Sequence, residues 1–264
     1  MLTSTFTILE GVGEKTERRL WRAGLLTWQD FLEVRDAPGI SLDRKGFYNE
    51  ELHQAAGELE RRNSRYFLEK LERREQWRLY KNFKKEAVFL DIETAGLSPD
   101  SSELTVVGLY DGERIRALVK GIDLSEDTLA EELSRYKMLI TFYGTAFDLP
   151  FLLRQFPRLD LRLPHFDLCF AGRRVGLKGG LKGVEKQLGI GRDEEVQGLD
   201  GYDAVRLWYA YKSGSFEALE LLLKYNEADT SSLPYIAEEV YRRLREATGI
   251  EYYHNLSNQI DFSP

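Results

Sequence analysis

Residues 87–94 read Ala-Val-Phe-Leu-Asp-Ile-Glu-Thr, and no other stretch constrains the fold of this chain as much. Charged Lys84, Lys85 and Glu86 precede it, and Gly96 follows it. An apolar run of that length between charged and turn-forming residues predicts a buried strand. Alternate side chains of a strand share a face, so Asp91 and Glu93 point one way and Ile92 the other. Two carboxylates at the end of a buried strand repel each other and lose their water, a state that becomes tolerable when a cation sits between them. Hard divalent ions such as magnesium take oxygen ligands of this kind.

The spacing by itself says little. Asp111 with Glu113 and Asp193 with Glu195 repeat it, yet neither pair follows a long apolar run. Both lie among glycines or charges that predict solvated turns. Partners further along distinguish Asp91 and Glu93. Asp148 falls in Phe-Asp-Leu-Pro-Phe-Leu at 147–152, after a short apolar strand at 138–142 and Gly144. That order places Asp148 near a helix start, and Pro150 suits a first helical turn. Tyr225 and Asp229 are four residues apart on a helix over 215–229, so they share one face. In isolation that pair reads as a core tyrosine bonded to a helix-end carboxylate.

The remaining pattern is α/β. Runs at 103–110 and 114–120 flank Asp111–Gly112, a hairpin signal. Short strands at 138–142 and 165–168 and helices at 181–190, 202–212 and 215–243 follow, the last interrupted near Thr230–Ser232. Strands first and then helices alternating with strands predict a mixed sheet flanked by helices, with a site at strand ends. The polar tail from Tyr252 to Pro264 is expected to fray.

The composition shifts at residues 80–86, which divides the chain into a helical region 1–84 and a second domain 85–264. In the first, Gly11 and Gly13 mark a tight turn, and Leu20, Trp21, Trp28, Phe31 and Leu32 fall on apolar helix faces. This order resembles a helix–hairpin–helix motif, in which Gly11, Gly13, Lys15 and Thr16 would face a nucleic-acid phosphate. A small packing module with no ligand fits the same residues. Residues 49–81 predict one or two helices, and the basic run Arg61, Arg62, Arg65, Lys70, Arg73, Arg74 and Arg78 reads first as a solvated face laced with ion pairs and second as a face toward phosphates.

Of the 264 residues, 42% are hydrophobic and 12% aromatic, enough for a sizeable core and unlike a disordered chain. No apolar run approaches the roughly 18–20 residues of a bilayer span, and Met1–Phe6 lack the pattern of a secretory signal. The expectation is a cytoplasmic protein with no membrane partner and no organic cofactor. The one cysteine, Cys169, excludes an internal disulfide, and His53, His165 and His254 show no zinc-ligand spacing. The net charge of −7 is unevenly spread: residues 1–86 carry 17 Lys/Arg against 15 Asp/Glu, and residues 87–264 carry 20 against 29. An acidic body with a locally basic arm is compatible with a polyanionic partner.

Asp91-x-Glu93, Asp148 in its Phe-Asp-x-Pro-Phe-Leu setting and Tyr225-x-x-x-Asp229 together resemble the three motifs of the DEDD exonucleases in their tyrosine-bearing branch. The surrounding words, Asp-Ile-Glu-Thr-x-Gly-Leu at 91–97 and Phe-Asp-x-Pro-Phe-Leu at 147–152, are most similar to YprB-type ribonuclease-H-like domains. The resemblance covers about residues 85–240 and implies a ribonuclease-H-like fold and a metal-dependent 3′–5′ exonuclease on single-stranded DNA or RNA. It implies that Asp91, Glu93 and Asp229 would hold one magnesium or manganese ion. Asp91 would bridge to a second ion that Asp148 supports, about 3.5–4 Å from the first. Tyr225 would orient the attacking water. The group often carries Asn-Gly where this chain has Tyr143–Gly144. Arg173, Arg174, Lys178 and Lys182, in the glycine-rich segment 171–183, would touch the substrate backbone or form a solvated loop. Asp167 would support the site from behind or cap a helix. Two other readings are a catalytically weak or inactive nucleic-acid-binding module and a protein-interaction scaffold.

Overall fold

The computed structural model describes residues 1–260, and residues 261–264 of the polar tail lie outside them. The chain forms two compact units: Met1–Lys84 with the chain from Tyr241 onward, and Lys85–Val240.

The first unit begins with helices α1 (Glu14–Arg22), α2 (Trp28–Glu33), α3 (Leu42–Glu60), α4 (Ser64–Lys70) and the short α5 (Tyr80–Phe83). Thr27 starts α2 with a reciprocal capping box to Asp30. Leu20, Trp21, Trp28 and Phe31 are buried as their periodicity predicts. Ahead of Gly11 the chain forms a single 3-10 turn at Leu2–Ser4 and irregular turns. The backbone there is engaged by side chains instead. The Trp21 indole donates to the Ser4 carbonyl and the Trp28 indole to the Thr5 carbonyl, both at 2.9 Å. Glu17 accepts the Phe6 N–H at 2.8 Å.

Within the basic run, Arg78 is buried rather than solvated. Its guanidinium sits 3.0 Å from Glu17 and 2.7 Å from Glu75. Lys70 pairs with Glu51 and Arg61 with Glu58, so much of the positive charge has an acidic partner inside the unit.

The second unit is a five-stranded mixed sheet with helices on both faces. Strands β1 (Ala87–Thr94), β2 (Leu104–Tyr110), β3 (Ile115–Val119), β4 (Met138–Thr141) and β5 (His165–Asp167) lie in the order β3-β2-β1-β4-β5. β1 pairs antiparallel with β2 and parallel with β4. Gly112, at φ +101°, turns the β2–β3 hairpin, a conformation glycine adopts without strain. The helices are α6 (Glu126–Leu133), α7 (Asp148–Gln155), α8 (Leu168–Arg174), α9 (Leu181–Leu188), α10 (Gly201–Lys212) and α11 (Phe216–Thr248). Val88, Leu90 and Ile92 pack with Leu129, Leu133, Phe151 and Leu152 of α6 and α7. Val106 and Val119 pack on the opposite face with Trp208 of α10 and Leu222 and Tyr225 of α11. Asp91 and Glu93, alternating with that first set, therefore turn toward the α11 side.

Three details differ from the sequence reading. Part of the expected 171–183 loop is α8. Asp167 caps this helix by accepting the Cys169 and Phe170 amides, and Gly172 lies within it without breaking it. α11 runs unbroken through 230–232, where the Thr230 and Ser232 hydroxyls point back and bond the carbonyls of Asn226 and Asp229 instead of competing with the helix from outside it. The described part of the tail is helix α12 (Ile250–Ile260). Among the described residues no helix is long and apolar enough to cross a membrane.

Replacing Arg78 by Ala leaves two buried carboxylates facing each other without a cation. The expected loss is about 3–5 kcal/mol in chemical denaturation. Arg78→Met with Glu17→Gln and Glu75→Gln, which removes the charges together, should lose less.

Candidate active site

β1 is paired unequally on its two sides. β2 follows it as far as Thr94, whereas β4 accompanies only Ala87–Phe89. Beyond Phe89 one edge of β1 is open. There Asp148, which opens α7, comes near enough for the Ile92 amide to favour its ionised form. On the other side Asp91 stands opposite Gly108 of β2. A Cβ at Gly108 would lie 2.0 Å from Asn226 Oδ1 and 2.7 Å from Thr230 Oγ1. The glycine thus lets α11 approach β1 closely. Asn226, 1% exposed, donates to Asp91 Oδ2 at 3.0 Å and to Glu93 Oε1 at 3.5 Å.

This approach brings Asp229, one turn after Tyr225 on α11, to the two strand acids. One carboxylate oxygen from each of Asp91, Glu93 and Asp229 lies within 4.8 Å of the others, a set that could hold a metal ion. Burial raises the pKa of Asp91 and Glu93 well above the carboxylate range, and the negative charges of Asp229 and Asp148 push both further. Asp148 is pushed up to about 7, by burial first and then by the Asp167 carboxylate. Its Oδ1 is buried with no hydrogen-bond partner. A shielded, unpartnered carboxylate oxygen beside three crowded acids is the donor set expected around a hard divalent cation, so the residues fit one.

Two cations complete the surroundings. Arg192 forms a two-pronged pair with Glu185, at 2.7 and 2.8 Å, and also meets Asp229 at 2.5 Å. Burial disfavours its charge, but Glu185 and Asp229 outweigh that and keep it protonated. A groove of about 660 Å³, lined in part by Arg192, Asp193, Lys224 and Ala228, lies alongside. Lys182 Nζ donates to Tyr225 Oη at 3.2 Å and lies 4.8 Å from the ring centre. Burial, followed by the charges of Asp229, Glu93 and Asp91, raises the Tyr225 pKa, so its hydroxyl stays neutral.

A model of the RNase_H superfamily matches residues 88–241. The chain belongs to the RNase H superfamily. Among solved structures this RNase H-superfamily protein is similar to Brucella melitensis NrnC, at 22% identity over 67% of this chain and 82% of that one, with a TM-score of 0.48. It is also similar to Escherichia coli RNase D, an exoribonuclease involved in structured RNA processing, at 17% identity over 71% of this chain and 46% of that one, with a TM-score of 0.46. A nuclease in its apo form shares 24% identity over 64% of this chain and 78% of its own, with a TM-score of 0.47. No curated protein matches the chain.

The other residues singled out in the sequence are placed as follows. Gly11, Gly13, Lys15 and Thr16 belong to the first unit, where Gly13 is the N-cap of α1 and Lys15 is exposed. Arg173 and Arg174 are exposed on the last turn of α8, and Lys178 is exposed in the loop after it. Lys182 lies on the first turn of α9 at Tyr225, not in a loop. Asp111 closes the β2–β3 turn by accepting the Glu113 and Arg114 amides. Glu195 pairs with Lys224, and neither repeated Asp-x-Glu pair joins the cluster. Asn226, Gly108 and Arg192 escape the sequence reading. The adjacency of Asn226 to Tyr225 was a usable signal, whereas nothing near Arg192 or Gly108 marks them.

Two outcomes are expected. Gly108→Ala drives a methyl group into Asn226, with an expected cost of about 1–3 kcal/mol in denaturation and weaker metal binding by calorimetry. Asp148 binds its proton more tightly when folded, at about 7 against an ordinary 3.8. Its contribution to stability is therefore complete below the ordinary value and is lost as pH rises through about 7. Metal-free protein should melt lower at about pH 8 than at about pH 5, and magnesium or manganese should raise the melting temperature more at the higher pH.

Proposed function

We propose that this chain is a metal-dependent 3′–5′ exonuclease of the tyrosine-bearing DEDD type, nearest to YprB-type domains, acting on single-stranded DNA or RNA. The cluster of half-buried Asp91 with buried Glu93 and Asp229, and the unpartnered oxygen of Asp148 beside it, carries the reading. Asp91, Glu93 and Asp229 would hold one magnesium or manganese ion, and Asp91 with Asp148 a second. When bound, such ions supply an activated water and offset charge on the scissile phosphate and its leaving oxygen.

The protein's own groups prepare that chemistry. Asn226 holds the Asp91 and Glu93 carboxylates in register, so their oxygens converge without side-chain rotation. Tyr225 is too weak an acid to serve as a base at neutral pH, which makes it a positioning group. Its oxygen accepts from Lys182, leaving its own proton free to donate to a water or phosphate oxygen. Lys182 and Arg192 bring positive charge to the acidic site, where a phosphodiester would otherwise be repelled. Arg192 can release Asp229 while keeping both of its bonds to Glu185.

The test is release of nucleoside 5′-monophosphate from labelled single strands in magnesium or manganese. Wild-type protein should exceed Asp148→Ala by at least about a hundred-fold, because the site stabilises several kcal/mol of developing charge. Equal rates would sink the proposal. A second reading, a catalytically weak or inactive nucleic-acid-binding module, draws support from the Arg192–Asp229 pair, which already supplies a cation to one proposed ligand. Strand binding without turnover, abolished by Gly13→Glu and indifferent to Asp91→Ala, would favour it.

A further inference from the structure

Tyr143 has φ +69°, a left-handed conformation that is a strained choice for a bulky side chain. The turn itself requires that conformation. The Tyr143 N–H donates to Asp167 Oδ1 at 3.1 Å, and its carbonyl accepts the Ala146 and Phe147 amides at 3.0 and 3.2 Å. Asn or Gly would meet this demand with less strain. An aromatic residue here needs a reason beyond the turn, and its side chain supplies none inside the core, being 41% exposed.

The ring has company on the surface. Phe170 of α8, also 41% exposed, lies with its ring centre 5.6 Å from that of Tyr143 and its plane tilted by 32°. The Arg173 guanidinium stands 5.5 Å from the Phe170 ring. Two exposed aromatic rings with a guanidinium beside them are a stacking surface for a flat, electron-rich heterocycle. The surface adjoins the carboxylates through the backbone. The Phe147 amide bonds to the Tyr143 carbonyl and the Leu149 amide to the Gly144 carbonyl, so both neighbours of Asp148 are tied to this turn. Asp167 accepts the Tyr143 and Thr145 amides while capping α8, which holds Phe170 and Tyr143 in one rigid frame.

We propose that Tyr143 and Phe170, with Arg173 at their edge, form a platform on which a nucleobase of a single-stranded substrate stacks next to the cleavage site. The inference rests on the nuclease reading above for what lies beside the platform. It adds the contact by which an unpaired base, rather than a phosphate, is held. Stacking requires an unpaired base, so the platform selects single strands over duplexes and tolerates every base.

The test compares Tyr143→Asn, Tyr143→Phe and Phe170→Leu with wild type. Steady-state kinetics on a single-stranded oligonucleotide in magnesium separate KM from kcat, and 2-aminopurine near the 3′ end, in EDTA, reports stacking by fluorescence quenching. Tyr143→Asn and Phe170→Leu should each raise KM about ten-fold, as loss of one stacked base predicts, leave kcat nearly unchanged and abolish quenching. Tyr143→Phe should preserve both. Because Asn suits the backbone at 143, Tyr143→Asn should melt no lower than wild type, which distinguishes a lost contact from a damaged fold. Unchanged KM and quenching in both variants, with wild type active, overturn the platform alone. Quenching that depends on Tyr143 and Phe170 without any hydrolysis overturns the nuclease reading and supports the platform. A wild-type protein that neither quenches nor cleaves overturns both.

Discussion

Asp91, Glu93, Asp148 and Asp229 share a site from which water is largely excluded, and the charges of Asp229 and Asp148 raise the proton affinity of both Asp91 and Glu93. Such a cluster is costly in a folded protein unless charge or hydrogen bonds offset it. Around it the second unit supplies partial compensation. Asn226 donates to two of the acids, the Ile92 amide favours the charge of a third, and Arg192 pairs with the fourth. Asp148 Oδ1 is left without a partner, so neutralisation by protein groups is incomplete. The arrangement is more readily understood as a site for cationic cofactors than as a device for stability.

The sheet makes that crowding possible. β1 is central, and its two neighbours stop at different points. The early end of β4 opens one edge of β1 to the α7 acid, while Gly108 on β2 admits α11 from above the sheet. Apolar residues facing α6 and α7 alternate with the acids facing α11, so one strand secures the core and presents the site. The turn after β4 extends the same economy, since Asp167 fixes both Tyr143 and the start of α8.

Arg192 gives the site a second character. A guanidinium held by Glu185 reaches Asp229 and occupies charge that a metal ion would otherwise claim. An arginine in this position lowers the cost of crowding these acids and would compete with a metal ion bound among them. The first unit resolves a similar problem differently, enclosing Arg78 between Glu17 and Glu75 so that its buried charges are matched internally.

Much of this was legible in the chain. The apolar run ending in Asp91 and Glu93 determined a buried strand and the face its acids share, because strand alternation follows from backbone geometry alone. The helical spacing of Tyr225 and Asp229 placed both on one side of α11, and the Asp-Gly between two β-rich runs marked the hairpin. Local signals failed where a residue's meaning depended on distant partners. The glycine-rich segment 171–183 reads as a loop, yet its first residues belong to α8; Thr230 and Ser232 read as a break, yet their hydroxyls bond back within α11. Only tertiary structure brought Asn226 to the strand acids, Arg192 to Asp229 and the ring of Phe170 to that of Tyr143. The periodicity of a sequence fixes which way a side chain faces; what it faces is decided by packing between segments far apart in the chain, and there close approach, burial and charge act together.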